Sequence, residues 1–126
     1  MNPFLISTKC PMLFACGTSM TVASKIQELG CKKVMIVCDD WLSKQENFKA
    51  FMNTFSEVET YVWNHVIPDP TDISVEEGAV IAKQENIDGI IGIGGGSSLD
   101  SAKAINTLLH SDFPINQYFA ALGPDA

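Results

Sequence analysis

Residues 87–105 read IDGIIGIGGGSSLDSAKAI and contain the pattern from which the rest of the chain can be placed. The β-branched apolar run at 87–93 predicts a strand that is buried on both faces, as in a parallel sheet. Three glycines, Gly94, Gly95 and Gly96, end this strand, and Ser97 or Ser98 is a favourable N-cap for a helix that follows. A strand, a glycine turn and a helix N-terminus present free backbone N–H groups, which predicts a phosphate site, although turns that bind nothing share this pattern.

The glycine turn matches neither of two common phosphate-binding patterns in full. A Walker loop requires Gly-Lys-Ser/Thr at the start of the helix, and no lysine precedes Ser97-Ser98 here. The dinucleotide fingerprint is approached by Gly92-x-Gly94-x-x-Ser97. Its ribose-binding acid, expected about 20 residues later at a strand end, would be Asp112, which lies in a predicted loop.

The remaining apolar runs predict further strands and helices. Short strands are expected at 3–7 and 12–15, a second buried strand at 34–38 and another strand at 58–63. Helices are expected at 20–29, at 41–55, from a capping box at Ser74-x-x-Glu77 to about residue 86, and at 99–109. Four strand–helix units predict an α/β fold, in which helices cover both faces of a parallel sheet.

Two carboxylates, Asp39 and Asp40, come directly after the predicted strand at 34–38. Ligands of open α/β sheets bind at the carboxyl ends of strands. A carboxylate at such an end can accept both ribose hydroxyls of an adenosine and repels a 2′-phosphate. The alternative role is to cap the following helix, which is what we expect of Asp40.

Composition and charge argue against several classes of partner. The chain has 126 residues, the length of one domain, and a formal net charge of −7, which argues against nucleic acid or an anionic membrane as a partner. No run approaches the ~20 apolar residues of a membrane span, and no signal peptide is apparent, so we expect a cytoplasmic protein. Four cysteines without CxxC spacing predict free, mostly buried thiols, of which Cys16 is the candidate for exposure.

Residues 94–103, GGGSSLDSAK, closely resemble a signature of the iron-containing (group III) alcohol dehydrogenases. This family belongs to the superfamily of glycerol dehydrogenase and dehydroquinate synthase. The glycine turn at Gly17, the segment 32–39 and the segment 68–71 agree with the family in order, so the resemblance covers nearly the whole chain. It implies a Rossmann-like parallel sheet with helices on both faces, and it assigns residues 1–126 to an incomplete N-terminal NAD-binding domain.

The resemblance also implies how NAD is held across the carboxyl ends of the strands. The pyrophosphate would lie on the glycine turn, and Asp39 would bind the adenosine ribose. Asp100, expected in the first turn of its helix, either lies near the nicotinamide or only complements the helix dipole. The expected cofactor-binding residues are Asp39, Gly94, Gly95, Gly96, Ser97, Ser98 and Asp100. Lys103 is expected to anchor the glycine loop or a carboxylate.

Members of the resembling family transfer hydride between NAD(H) and an alcohol/aldehyde pair, and a divalent metal, usually iron, polarises the substrate oxygen. The resemblance places the metal ligands in a separate helical C-terminal domain, and neither His65 nor His110 matches a ligand position. We therefore expect no catalytic or metal-binding residue in this chain, no activity from it alone, and a homodimer for a full-length enzyme. The alternatives are a non-catalytic nucleotide-binding module and a lyase of the dehydroquinate synthase type.

Overall fold

The structure is a computed structural model, and it describes residues 16–110. The strands predicted at 3–7 and 12–15, together with Cys10 and Asp112, lie outside the described residues. The strands are β1 (Lys33–Val37), β2 (Glu59–Trp63) and β3 (Gly89–Gly92). A 3-10 turn at Thr18–Thr21 leads into the first of the helices, which are α1 (Val22–Glu28), α2 (Asp40–Ser43), α3 (Glu46–Met52), α4 (Asp72–Gln84) and α5 (Gly96–Leu109).

The three strands form a parallel sheet in the order β2-β1-β3. In the register of the sheet, Met35 of β1 lies between Tyr61 of β2 and Ile90 of β3. Residues 34–37 of the central strand are completely buried, as expected for a parallel strand that is covered on both faces. The same prediction is wrong for β3, which is only half-buried along its length, because β3 pairs with one neighbour within residues 16–110.

Helices cover both faces of the sheet, which confirms the predicted α/β class. On one face, Met35 and Val37 pack in a cluster with residues of α4 and α5. On the other face, Val34 and Ile36 pack with Ile26 of α1 and with two phenylalanines of α3. Alternate residues of one buried strand therefore supply both halves of the core.

Several predicted helix boundaries are wrong, and each error has a local cause. The helix predicted at 41–55 is two helices, because Gln45 has an extended backbone and serves as the N-cap of α3. The capping box is formed by Thr71 and Ser74 rather than by Ser74 and Glu77, so the N-cap of α4 lies three residues earlier than predicted. Four strand–helix units were predicted, and the described residues contain three strands.

Candidate nucleotide-binding site

Parallel pairing brings the glycine turn and the two carboxylates to the same edge of the sheet. The chain leaves β3 with the N–H of Ile93 donating to the carbonyl of Val37 over 3.0 Å, and the glycine turn follows. The chain leaves β1 at Cys38 and enters α2 at Asp39. A Cβ atom at Gly94 would lie 3.9 Å from Cδ2 of Leu42, so α2 and the turn are neighbours.

The three glycines of the turn differ in what the structure requires of them. Gly94 has a φ of +128° and its Cβ would lie 2.8 Å from the Oγ of Ser98, so both the backbone conformation and the lack of space require glycine. Gly95 has an extended backbone, and, apart from chain neighbours and the backbone of α5, no atom of the described residues lies within 4 Å of the Cβ position of Gly95 or Gly96. The space above the second and third glycines is therefore open.

The N-terminus of α5 faces this open space without a side-chain cap. The N-cap is Gly95, and the helix begins at Gly96, so the prediction that Ser97 or Ser98 caps the helix is wrong. The first N–H groups of an α-helix have no intrahelical acceptor. Ser98 is buried with its side chain against Gly94, whereas Ser97 is half-buried. The turn thus presents backbone N–H groups at the positive end of a 14-residue helix.

Asp100 and Lys103 lie further along α5 than the sequence predicts. Because the helix begins at Gly96, Asp100 is its fifth residue, and the expectation that it complements the dipole from the first turn is wrong. Its carboxylate is exposed, and its place near a nicotinamide stays a prediction. Lys103 is also exposed, and it forms no ion pair with the residues that the structure describes.

Asp39 has the capping role that the sequence analysis expected of Asp40. Its Oδ1 accepts a hydrogen bond from the backbone N–H of Leu42 over 2.6 Å, at the N-cap of α2. Its Oδ2 accepts no hydrogen bond from the described part of the chain, so one carboxylate oxygen stays available at the N-cap of α2. Asp40 is instead the first residue of α2, and its Oδ2 pairs with the Nζ of Lys44 over 2.7 Å.

Asn64, which was not singled out from the sequence, also lies at the carboxyl ends of the strands. The Nδ2 of Asn64 donates to Oδ1 of Asp40 over 3.0 Å and contacts the Oγ of Ser43 over 3.2 Å. Asn64 directly follows β2, so its contact with α2 depends on the pairing of β2 with β1. No local pattern reports such a contact, which explains why the sequence did not indicate it.

The cysteine at the end of β1, Cys38, is not a reactive group of the site. Cys38 is completely buried, and burial, reinforced by the carboxylates of Asp39 and Asp40, raises the pKa of its thiol to about 11. The thiol is therefore protonated at neutral pH. Cys16 is exposed, as predicted, and Cys31 is partly buried.

An apolar cleft of about 400 Å³ adjoins the glycine turn. It lies on the α1 and α3 face of the sheet, beside the outer edge of β3, and its walls include Val22, Leu42, Phe51, Ile93 and Gly94. A flat apolar group can be buried here while a phosphate lies on the neighbouring helix N-terminus. A second cavity, of about 530 Å³ between the end of β2 and α4, contains none of the predicted site residues.

The described residues do not fit an iron site. Within 16–110, no group of three or more His, Cys, Asp or Glu side chains is placed to hold a metal ion. His65 is exposed with its ring against Trp63, and His110 is exposed at the end of α5.

No helix within residues 16–110 is long and apolar enough to cross a bilayer.

The chain matches the iron-containing alcohol dehydrogenase family over residues 11–125, and it belongs to that family. The NAD-dependent methanol dehydrogenase of Bacillus methanolicus is 35% identical over 104 residues, which are 81% of this chain and 27% of that enzyme. Alcohol dehydrogenase 4 of Schizosaccharomyces pombe is 34% identical over 109 residues, which are 84% of this chain and 26% of that protein.

Solved structures of the family have the same fold. The NADH-dependent butanol dehydrogenase A of Thermotoga maritima superposes with a TM-score of 0.80 at 25% identity, over 91% of this chain and 30% of that one. A 1,3-propanediol oxidoreductase superposes with a TM-score of 0.77 at 28% identity, over 81% of this chain and 27% of that one. These matches confirm the predicted family and its Rossmann-like fold. The chain spans between about a quarter and a third of the length of these relatives.

Proposed function

We propose that this chain is the N-terminal, NAD-binding part of an iron-dependent alcohol dehydrogenase that transfers hydride between NAD(H) and an alcohol/aldehyde pair. The observation that carries the proposal is the uncapped N-terminus of α5, which opens from a turn where Gly95 and Gly96 leave unfilled space. Family membership supports the choice of cofactor and substrate class. So do the names of two relatives, an NAD-dependent methanol dehydrogenase and an NADH-dependent butanol dehydrogenase.

Each part of the site suits one part of a dinucleotide. The backbone N–H groups of Gly96, Ser97 and Ser98 would donate to the pyrophosphate, because the first turn of a helix offers unpaired donors and a positive dipole end. A side chain at Gly95 would stand in the space that the phosphates need, so its absence permits a close approach. The turn therefore holds the cofactor by its backbone rather than by charged side chains.

The carboxylate of Asp39 would select the adenosine ribose. Oδ1 is fixed by the N–H of Leu42, and this bond orients Oδ2, which can accept from the ribose hydroxyls. A 2′-phosphate at the same place would face a negative charge, so the site favours NAD over NADP. Asp100, one turn further along α5, is our candidate for a residue on the nicotinamide side.

The bound nicotinamide would supply the hydride acceptor or donor. Since residues 16–110 hold no set of metal ligands, iron belongs to this proposal only for a longer protein, and no step here depends on it. The homodimer and the cytoplasmic location are likewise proposed for that protein. We expect the 126-residue chain alone to bind nucleotide weakly and to show no alcohol turnover with NAD and Fe²⁺, because hydride transfer requires metal, alcohol and nicotinamide to be held together.

Calorimetric titration of the 126-residue chain with NAD, NADP and AMP tests the proposal. We expect saturable binding of NAD, weaker binding of NADP, and binding of AMP that competes with NAD. Far-UV circular dichroism establishes that the chain is folded under the same conditions. A folded chain that binds none of the three nucleotides contradicts the proposed function. Turnover of short alcohols by the purified chain contradicts the expectation that the chain alone is inactive.

A further inference from the structure

The side-chain amide of Asn64 connects the end of β2 to the only turn of α2. Its Nδ2 lies 3.0 Å from Oδ1 of Asp40 and 3.2 Å from the Oγ of Ser43, and that hydroxyl donates to the carbonyl of Asp40 over 2.7 Å. The Nζ of Lys44 occupies the other carboxylate oxygen of Asp40 at 2.7 Å. Both oxygens of this carboxylate are therefore engaged, one by an amide from β2 and one by a cation from the helix itself.

The position of α2 depends on contacts of this kind. The helix has only four residues, Asp40–Ser43, and one turn of helix has little stability of its own. The backbone before it is held by β2, since the N–H of Cys38 donates to the carbonyl of Trp63 over 3.2 Å. Asn64 follows Trp63 directly, and its side chain adds a second connection between this segment and the chain after β1, by hydrogen bonds to Asp40 and Ser43 of α2.

Asp39 lies between these two attachments. Its backbone follows Cys38, which is tied to the sheet, and its Oδ1 accepts from the N–H of Leu42, which belongs to the turn that Asn64 holds. A shift of that turn would move the N–H of Leu42 and with it the carboxylate that it orients. The direction of the free Oδ2 of Asp39 is thus coupled to the hydrogen bonds of Asn64.

We propose that Asn64 is a positioning residue of the cofactor site: it fixes the first turn of α2, thereby aims Asp39 at the adenosine ribose, and so increases the preference for NAD over NADP. This inference rests on the proposed function. An asparagine suits the position because its amide donates to a carboxylate without adding charge. An aspartate there would place two carboxylates about 3 Å apart, where like charges repel.

The test uses the 126-residue chain and three changes at this network. Asn64→Ala removes the amide, and Asn64→Asp replaces it with a carboxylate. The double variant Asp40→Asn/Asn64→Asp reverses the donor and the acceptor of the bond while it conserves the net charge of the pair. Asn106→Ala is the matched control, because Asn106 is exposed on α5 and its side chain forms no hydrogen bond with the described residues.

Two readouts separate positioning from a general loss of stability. The dissociation constants for NAD and NADP give the preference as a ratio, and the amide resonance of Leu42, with its hydrogen-exchange rate, reports the cap of α2 directly. For Asn64→Ala we expect NAD affinity to fall on the order of three- to tenfold, the effect of losing one or two hydrogen bonds, with a smaller fall for NADP. The amide of Leu42 should exchange faster.

The other variants test whether the hydrogen bond between residues 64 and 40 is the cause of the effect. Asn64→Asp should lower the NAD/NADP preference at least as far as Asn64→Ala, the reversed pair should recover part of it, and Asn106→Ala should match the wild type. The reversed pair, which has the same size and charge as the wild-type pair, carries the test if Asn64→Ala does not fold.

An unchanged preference in Asn64→Ala, or in Asn64→Asp if only that variant folds, overturns the inference, even if both affinities fall together. No recovery in the reversed pair relative to Asn64→Asp also overturns it. These outcomes leave the proposed function standing, provided that the wild-type chain binds NAD more tightly than NADP. A wild-type chain that binds neither nucleotide overturns the proposed function, and this inference with it.

Discussion

Replacement of Gly95 by valine is the sharpest perturbation of the glycine turn, because it should weaken nucleotide binding without unfolding the chain. Gly95 has φ of −81° and ψ of −168°, a β-region backbone that valine adopts readily. Apart from its two chain neighbours, no atom of the described residues lies within 4 Å of its Cβ position. The strained position of the turn is Gly94, with a φ of +128°.

The expected magnitudes follow from this geometry. Gly95→Val should change the free energy of unfolding by no more than about 1 kcal/mol, since a weaker N-cap is offset by the lower entropy of the unfolded chain. Its methyl groups would stand over the N–H groups of the first turn of α5. The loss of even one charge-assisted hydrogen bond, worth ~1.5–3 kcal/mol, would weaken NAD binding by about tenfold or more.

The assay pairs a urea titration with a calorimetric NAD titration for three variants. Gly94→Ala should lower the free energy of unfolding by ~1–3 kcal/mol, because it forces a side chain into positive φ against Ser98. Thr107→Val is the control, since it places a valine at an exposed position of the same helix, about 16 Å from Gly96 along the helix axis. Equal NAD affinity in Gly95→Val and in the wild type would refute the assignment of the turn to phosphate binding.

Three further experiments, two substitutions and one chemical labelling, test other parts of the structure. Asp39→Gly should bring the dissociation constants for NAD and NADP closer together, and a ratio unchanged from the wild type would contradict the ribose assignment. Gly78→Val should lower the free energy of unfolding in urea by ~1–3 kcal/mol, since a Cβ there would lie 2.6 Å from Cδ1 of Ile105; an unchanged value would contradict the close packing of α4 on α5. Iodoacetamide at pH 8 should alkylate Cys16 and spare Cys38, whose pKa of about 11 leaves on the order of one thiol in a thousand ionised. Peptide mass spectrometry measures both, and equal labelling would contradict the burial of Cys38.

The parts of the fold that could be predicted are those that local sequence determines. A run of apolar, largely β-branched residues at 34–38 predicts a buried strand, and β1 is the central strand of the sheet. The glycines after β3 predict a turn because only glycine adopts the φ of Gly94 without strain. Together with the helices predicted between the strands and the resemblance to the family, these two features led to the predicted class of fold and to the candidate site.

The parts that could not be predicted depend on competition between neighbours or on pairing between distant segments. Gln45 interrupts the helix predicted at 41–55 although its side chain is a good helix former, because its backbone is extended and caps α3. The capping role of Asp39 rather than Asp40 depends on where α2 begins, which sequence leaves open by a residue or two. The contact between Asn64 and Asp40 exists only because β2 pairs with β1.

The most direct test of the account is to map NAD onto the chain by amide resonances. A ¹⁵N-labelled 126-residue chain is titrated with NAD, and the shift of each backbone amide is followed to saturation. We predict that the largest shifts fall on Gly96, Ser97 and Ser98, with a second group at Asp39 and Leu42, and that Gly95→Val requires about tenfold or more NAD to reach half of either shift. Saturable shifts centred instead on the cavity between the end of β2 and α4, with the amides of the glycine turn unmoved, would contradict it.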